Sequence, residues 1–155
     1  MDTAHEVIHI RLRQEGDWPP VAQEEVTAVP LGEHRYRLAD PPAFAKRLAV
    51  GDVVRVLHHG EPEVPWIDEL LEHSGHSTLR VIVFRQAGEA AERELADRMT
   101  ALGATVHRTP LDGLLALDVP ASVPYDPVRA ALEDGEGRGL WEYEEGSVSA
   151  VHDAG

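Results

Sequence analysis

The sequence predicts an α+β protein in which a β-rich N-terminal half, residues 1–75, packs on a ferredoxin-like βαββαβ C-terminal half, residues 76–155, as one integrated globular unit. Three observations carry that expectation. Apolar and polar residues alternate with period 2 through most of the first half, and two stretches of the second half repeat apolar residues at helical spacing. No linker, internal repeat or low-complexity tract separates the halves.

The opening strand is read from Ile8, Ile10 and Leu12 alternating with His9, Arg11 and Arg13. "EGDWPP" ends it, because consecutive prolines cannot donate to a ladder. "EEVTAVPLGEHRYRLAD" reads as a β-hairpin turning at Gly32. In "DPPAFAKRLAVGDVVRV", Asp40 stands as an N-cap before a short helix over Phe44 to Leu48, and the β-branched run Val53, Val54, Val56 follows. "WIDELLEHS" satisfies both periods, since Trp66 and Leu70, and Ile67 and Leu71, recur four apart. An all-β first half favours a strand there.

In the second half "TLRVIVFR" is apolar on both faces, Val81 to Phe84 above all, and reads as a central strand whose second face the first half must cover. "GEAAERELADRMTALG" places Ala91, Leu95, Met99 and Leu102 on one helical face with Gly103 at the C′ position. Two short strands around a Pro-Asp-Gly turn follow. A helix with Asp126 as N-cap and Pro127 at its first position comes next, and "GLWEYEEGSVS" closes the half as a strand.

Composition removes several functions. Twenty-eight acidic against 14 basic residues give a formal charge of −14, and each half carries 14 acids and 7 bases. Such a field repels nucleic-acid phosphates, so no nucleic acid is expected as a partner, whereas a basic protein would be steered in. Without cysteine there is no disulfide, thiol nucleophile or thiolate metal site. No run reaches the roughly 20 apolar residues of a membrane span and the start lacks a leader pattern, so a cytoplasmic protein without membrane contact is expected. There is no GxGxxG and no P-loop, and the aromatics Trp18, Trp66, Trp141, Tyr36 and Tyr143 read as packing.

The densest chemistry is "HSGHSTLR", His73 to Arg80. His73 and His76 stand three apart near Asp68, Glu69 and Glu72, and "LHHG" adds His58 and His59, but nothing names a full ligand set; no metal or cofactor is expected. A nucleophile at Ser74, Ser77 or Thr78 with a histidine base lacks the GxSxG context, so no catalytic residue is assigned. Two readings remain. In one, Gly75, Ser77, Thr78 and Arg80 make an anion pocket, with His73, Ser74 and His76 beside it as binding residues. In the other, the hydroxyls bond the backbone of a turn at the junction of the halves, and Arg80 meets an internal acid.

Trp18-Pro19, Pro42 with Phe44 and Ala45, Gly51-Asp52-Val53-Val54 and Ser74-Gly75-His76-Ser77-Thr78-Leu79-Arg80-Val81 together resemble the bacterial family of domains of unknown function numbered 4265, common in actinobacteria. The resemblance spans most of the first half and enters the second. It implies a bacterial cytoplasmic protein, in keeping with thirteen arginines against the single Lys46, and it brings no established activity or catalytic residues. "VPWIDELLEH" is more acidic than the family pattern.

The function expected is a non-enzymatic binding, regulatory or accessory module acting through protein contacts, preferably with a basic partner. The alternative is a small-molecule or metal-dependent enzyme with its site around His76 and Arg80 at the seam. A homodimer sensing a metabolite between subunits is the third.

Overall fold

A closed five-stranded barrel and a four-stranded sheet backed by two helices meet along a polar seam. The computed structural model describes residues 4–153; residues 1–3, part of the opening read as leaderless, and 154–155 lie outside it. In the barrel, β1 (Glu6–Arg11), β2 (Gln23–Gly32), β3 (Arg35–Leu38), β4 (Val53–His59) and β5 (Val64–Glu72) pair antiparallel in turn. A parallel bridge, His9 to Trp66, closes it. The alternation expected of β1 puts Ile8 and Ile10 inside, where Val26, Ala28, Leu38, Val54 and Val56 join them in one core.

The helical spacing of "WIDELLEHS" has a local cause. Register shifts between Val53 and Val54 and between Arg55 and Val56 set Leu70 opposite Val54 and Ile67 opposite Val56. Ile67 and Leu70 therefore both pack on the barrel core although three apart in sequence, which a regular strand forbids and a bulge permits.

In the second half, β6 (Ser77–Val83), α1 (Gly88–Leu102), β7 (Thr105–Arg108), β8 (Leu114–Val119), α2 (Tyr125–Gly137) and β9 (Trp141–Ser147) follow in the expected order of strands and helices. A short α3 (Ala150–Asp153), not expected from the sequence, comes last. The strands lie in the order β7-β8-β6-β9, each neighbouring pair antiparallel. Leu79, Val81 and Val83 of β6 and Leu115 and Leu117 of β8 face the helices, where Leu95, Met99, Val128, Leu132 and Trp141 complete the core. Gly103, at φ 94°, ends α1 as expected.

Three expectations need correction. No helix forms over Phe44 to Leu48: Arg47 takes φ 67°, outside the right-handed helical region, and the Glu24 carboxylate holds the N–H groups of Ala43, Phe44 and Ala45 in an irregular segment. Asp40 caps nothing there; it accepts from the Thr27 hydroxyl. Helix α2 begins at Tyr125, with Pro124 at the cap and Asp126 already in its first turn. The run Val81 to Phe84 is not buried on both faces either: Ile82 is 38% exposed, because the barrel half covers only the Thr78–Arg80 end of that face.

The covering segment, residues 39–52, works in two directions. Ala45 and Leu48 pack into the barrel core. Their carbonyls turn to the sheet, Ala45 O accepting from Arg80 Nη2 and Leu48 O from Thr78 Oγ1 at 2.9 Å, while Arg47 N–H donates to Gly146 O at 3.0 Å. Backbone polar groups that would otherwise be buried alone thus bind the two sheets to each other.

Candidate binding site

The stretch from His73 to Arg80 is the joint between β5 and β6, and its side chains divide between two sides of the sheet. Gly75 takes φ 94°, and a Cβ there would stand 3.1 Å from that of Ala121. Ser74 donates its hydroxyl to Val50 O (2.6 Å) and accepts from His76 N–H, while Asp52 Oδ1 accepts from Ser74 N–H (2.8 Å). Asp52, only 1% exposed, also accepts from Ala49 N–H, so one buried carboxylate ties the turn before β4 to the joint.

Thr78 and Arg80 face the barrel. Arg80 is 2% exposed; beyond its bond to Ala45 O it reaches Glu144 Oε1 at 3.4 Å, and its Nε has no partner among the described residues. Burial lowers the guanidinium's pKa from its ordinary value, and the carboxylates of Glu144 and Glu24 oppose that shift. Ser77 faces the other way. Its Oγ lies 2.6 Å from His152 Nδ1 and accepts from Ser149 N–H. The Ser77 and Thr78 hydroxyls are therefore not side by side, and each has an internal partner.

His73 is exposed. His76 is half-buried and donates Nδ1–H to Asp118 Oδ1 at 2.8 Å, which orients the ring. Among the described residues no three His, Asp or Glu side chains gather as a metal set. The roles of Asp52, Asp118, His152 and Glu24 were not singled out by the sequence: each meets a partner 19 or more residues away, and no local motif marks such a pairing.

Beside this seam the barrel and sheet leave a groove of about 1080 Å³. Pro20, Val21 and Phe44 give it apolar walls, Glu25 and Asp40 carboxylates, and Val106 to Leu111 close its far side. Glu24 shapes the near wall through its three backbone bonds to Ala43, Phe44 and Ala45 at 2.7–2.8 Å. Strand β7, on the far side, is one of the two edge strands of its sheet.

A β-barrel joined to a helix-backed antiparallel sheet through hydrogen-bonded side chains places the molecule among mixed, strand-rich α+β proteins. The chain belongs to the family described as "Domain of unknown function (DUF4265)", whose model matches residues 24–143. A solved structure described as "Novel crystal structure of a hypothetical protein from Neisseria gonorrhoeae" is similar in fold, with a TM-score of 0.76 at 15% identity over 96% of this chain and 99% of that one. No curated protein matches the chain. No helix among the described residues is long and apolar enough to cross a membrane.

Proposed function

We propose that this chain is a non-enzymatic accessory protein, bacterial and cytoplasmic, that binds a basic segment of another protein along the groove between its barrel and its sheet. The observation that carries the reading is the groove itself. At about 1080 Å³ it stands at the upper end of the roughly 300–1,000 Å³ of small-molecule sites, roomy enough for an extended segment, and it opens beside an edge strand. A charge of −14 supports the basic partner, because a field of that sign speeds encounter with cations.

In this reading residues 1–75 and 76–155 are subdomains of one unit, the second of the ferredoxin-like class, as the antiparallel order β7-β8-β6-β9 supports. His73 to Arg80 serve binding indirectly, by holding the groove's two walls in register.

Affinity capture from the source cells tests it, comparing the wild type with Val21→Lys and Glu25→Lys, two exposed positions on the groove. The expected result is a stoichiometric partner whose capture weakens as salt rises and is lost in both variants. Equal capture by the variants, or none by the wild type, overturns it.

One observation favours a second reading, an enzyme site at the seam: Asp118 orients His76 as it would a general base. A thermal-shift panel of divalent metals, nucleotides and small acids on the wild type and His76→Ala checks this, because a ligand seated at His76 stabilises only the wild type.

A further inference from the structure

Two of the exposed large apolar side chains, Trp18 at 44% and Ile82 at 38%, line one cleft of about 280 Å³ on the sheet face turned from the helices. Strand register assembles it. Ile82 stands opposite Leu114 on β8 and Glu142 on β9, and Arg80 stands opposite Glu144. Trp18 arrives from the loop between β1 and β2 and packs edge-on against Phe44, ring centres 5.6 Å apart. The cleft therefore offers an indole and an aliphatic surface beside two exposed carboxylates, Glu142 and Glu144. The Trp18–Phe44 pair is the wall it shares with the large groove, since Phe44 lines the groove and Trp18 the cleft.

We propose that this cleft seats a lysine side chain of the basic segment, an inference that rests on the protein-binding reading and names its anchor. A lysine matches the cleft at both ends. Its aliphatic stem covers the apolar surface of Trp18 and Ile82, and its ammonium reaches the carboxylates while lying near the indole face. Two carboxylates against one guanidinium leave the cleft negative, in keeping with the sign of the whole molecule. An anionic anchor fits poorly, because Arg80 is buried and already engaged by Ala45 O and Glu144. A segment crossing the Trp18–Phe44 wall would place one side chain in the cleft and its main chain in the groove.

The test is an NMR titration of the full chain at low salt with the peptide acetyl-Ala-Lys-Ala-Lys-Ala-amide, its Nε-acetyllysine counterpart and its arginine counterpart. The lysine peptide should shift amide signals at Trp18, Ile82 and Glu142–Glu144. Trp18→Ala and Glu142→Gln should each weaken binding by about threefold, as expected for exposed cation–π and ionic contacts. Glu89→Gln removes the same charge from an exposed position on α1 and should change affinity by much less. Equal binding of the acetylated peptide, tighter binding of the arginine peptide, equal weakening by Glu89→Gln, or shifts elsewhere would overturn the proposal. Capture of a protein partner undiminished in Trp18→Ala removes the cleft and leaves the wider reading standing. A seated lysine peptide with no partner captured by the wild type removes the wider reading instead.

Discussion

Ser77 Oγ lies 2.6 Å from Nδ1 of His152, a residue 75 positions away, and the pair fastens the C-terminal turn of helix to the start of β6. His152 Nε2 stands 3.1 Å from the carbonyls of Pro120 and Val123, so it carries the ring hydrogen, and Nδ1 accepts from the serine. The ring also stacks on Tyr125 at 5.1 Å between centres. Ser77 is fully buried, which makes this serine–histidine contact a latch and not a nucleophile. Ser77→Ala should leave the Nδ1 and the Ser149 N–H unpartnered and cost about 1–3 kcal/mol. Urea unfolding measures the loss, and amide exchange over residues 149–153 should accelerate; unchanged exchange there would contradict the latch.

Two glycines of α2 should respond oppositely to alanine. A Cβ on Gly135 would fall 1.9 Å from the Trp141 ring, which is fully buried and fixed by its Nε1–H bond to Leu132 O at 2.9 Å. The clash outweighs the helix propensity gained, and Gly135→Ala should destabilise by about 1–3 kcal/mol. Gly137 has open space around its Cβ position, so Gly137→Ala should be neutral or stabilise by up to about 1 kcal/mol. Paired melting curves read the sign directly.

Tyr125 makes stability depend on alkaline pH. Burial first, then the hydrogen bond to the Glu145 carboxylate, raises the phenol's pKa well above its ordinary 10.0. The folded chain keeps this proton where the unfolded chain releases it, so the contribution is whole below about pH 10 and declines as pH rises beyond it. Between pH 10 and 11.5 the wild type should lose up to about 1.4 kcal/mol per pH unit more than Tyr125→Phe. Parallel slopes for the two proteins would rule this out.

Glu24 holds the segment that makes the seam. Its carboxylate accepts from three backbone N–H groups through both oxygens, and Glu24→Gln keeps the shape but turns one of those acceptors into an NH2 donor, losing at least one bond and the charge that strengthens the others. The variant should lose about 1.5–3 kcal/mol, with exchange rising over residues 43–48. Because Ala45 and Leu48 supply the carbonyls for Arg80 and Thr78, the loosening should spread to β6. Faster exchange confined to α1 would be the wrong result.

Much of the molecule follows from local pattern, because alternation and helical spacing record which side of an element is buried. Ile8 and Ile10 face the core of β1, Val26 and Ala28 that of β2, and Ala91, Leu95 and Met99 mark the buried side of α1. The turn glycines Gly75 and Gly103 are legible for the same reason, since their positive φ is a local demand. Tertiary structure decided the rest. The segment Phe44–Leu48 is irregular, with Arg47 at positive φ and its start held by a carboxylate 19–21 residues away, and bulges against β4 let Ile67 and Leu70 share a core three apart. The crowded string from His73 to Arg80 took its meaning from Asp52, Asp118, His152 and Ala45, which reach it only when the barrel closes and docks. A buried polar group must find a partner wherever the fold brings one, and sequence spacing holds no record of partners contributed by distant elements.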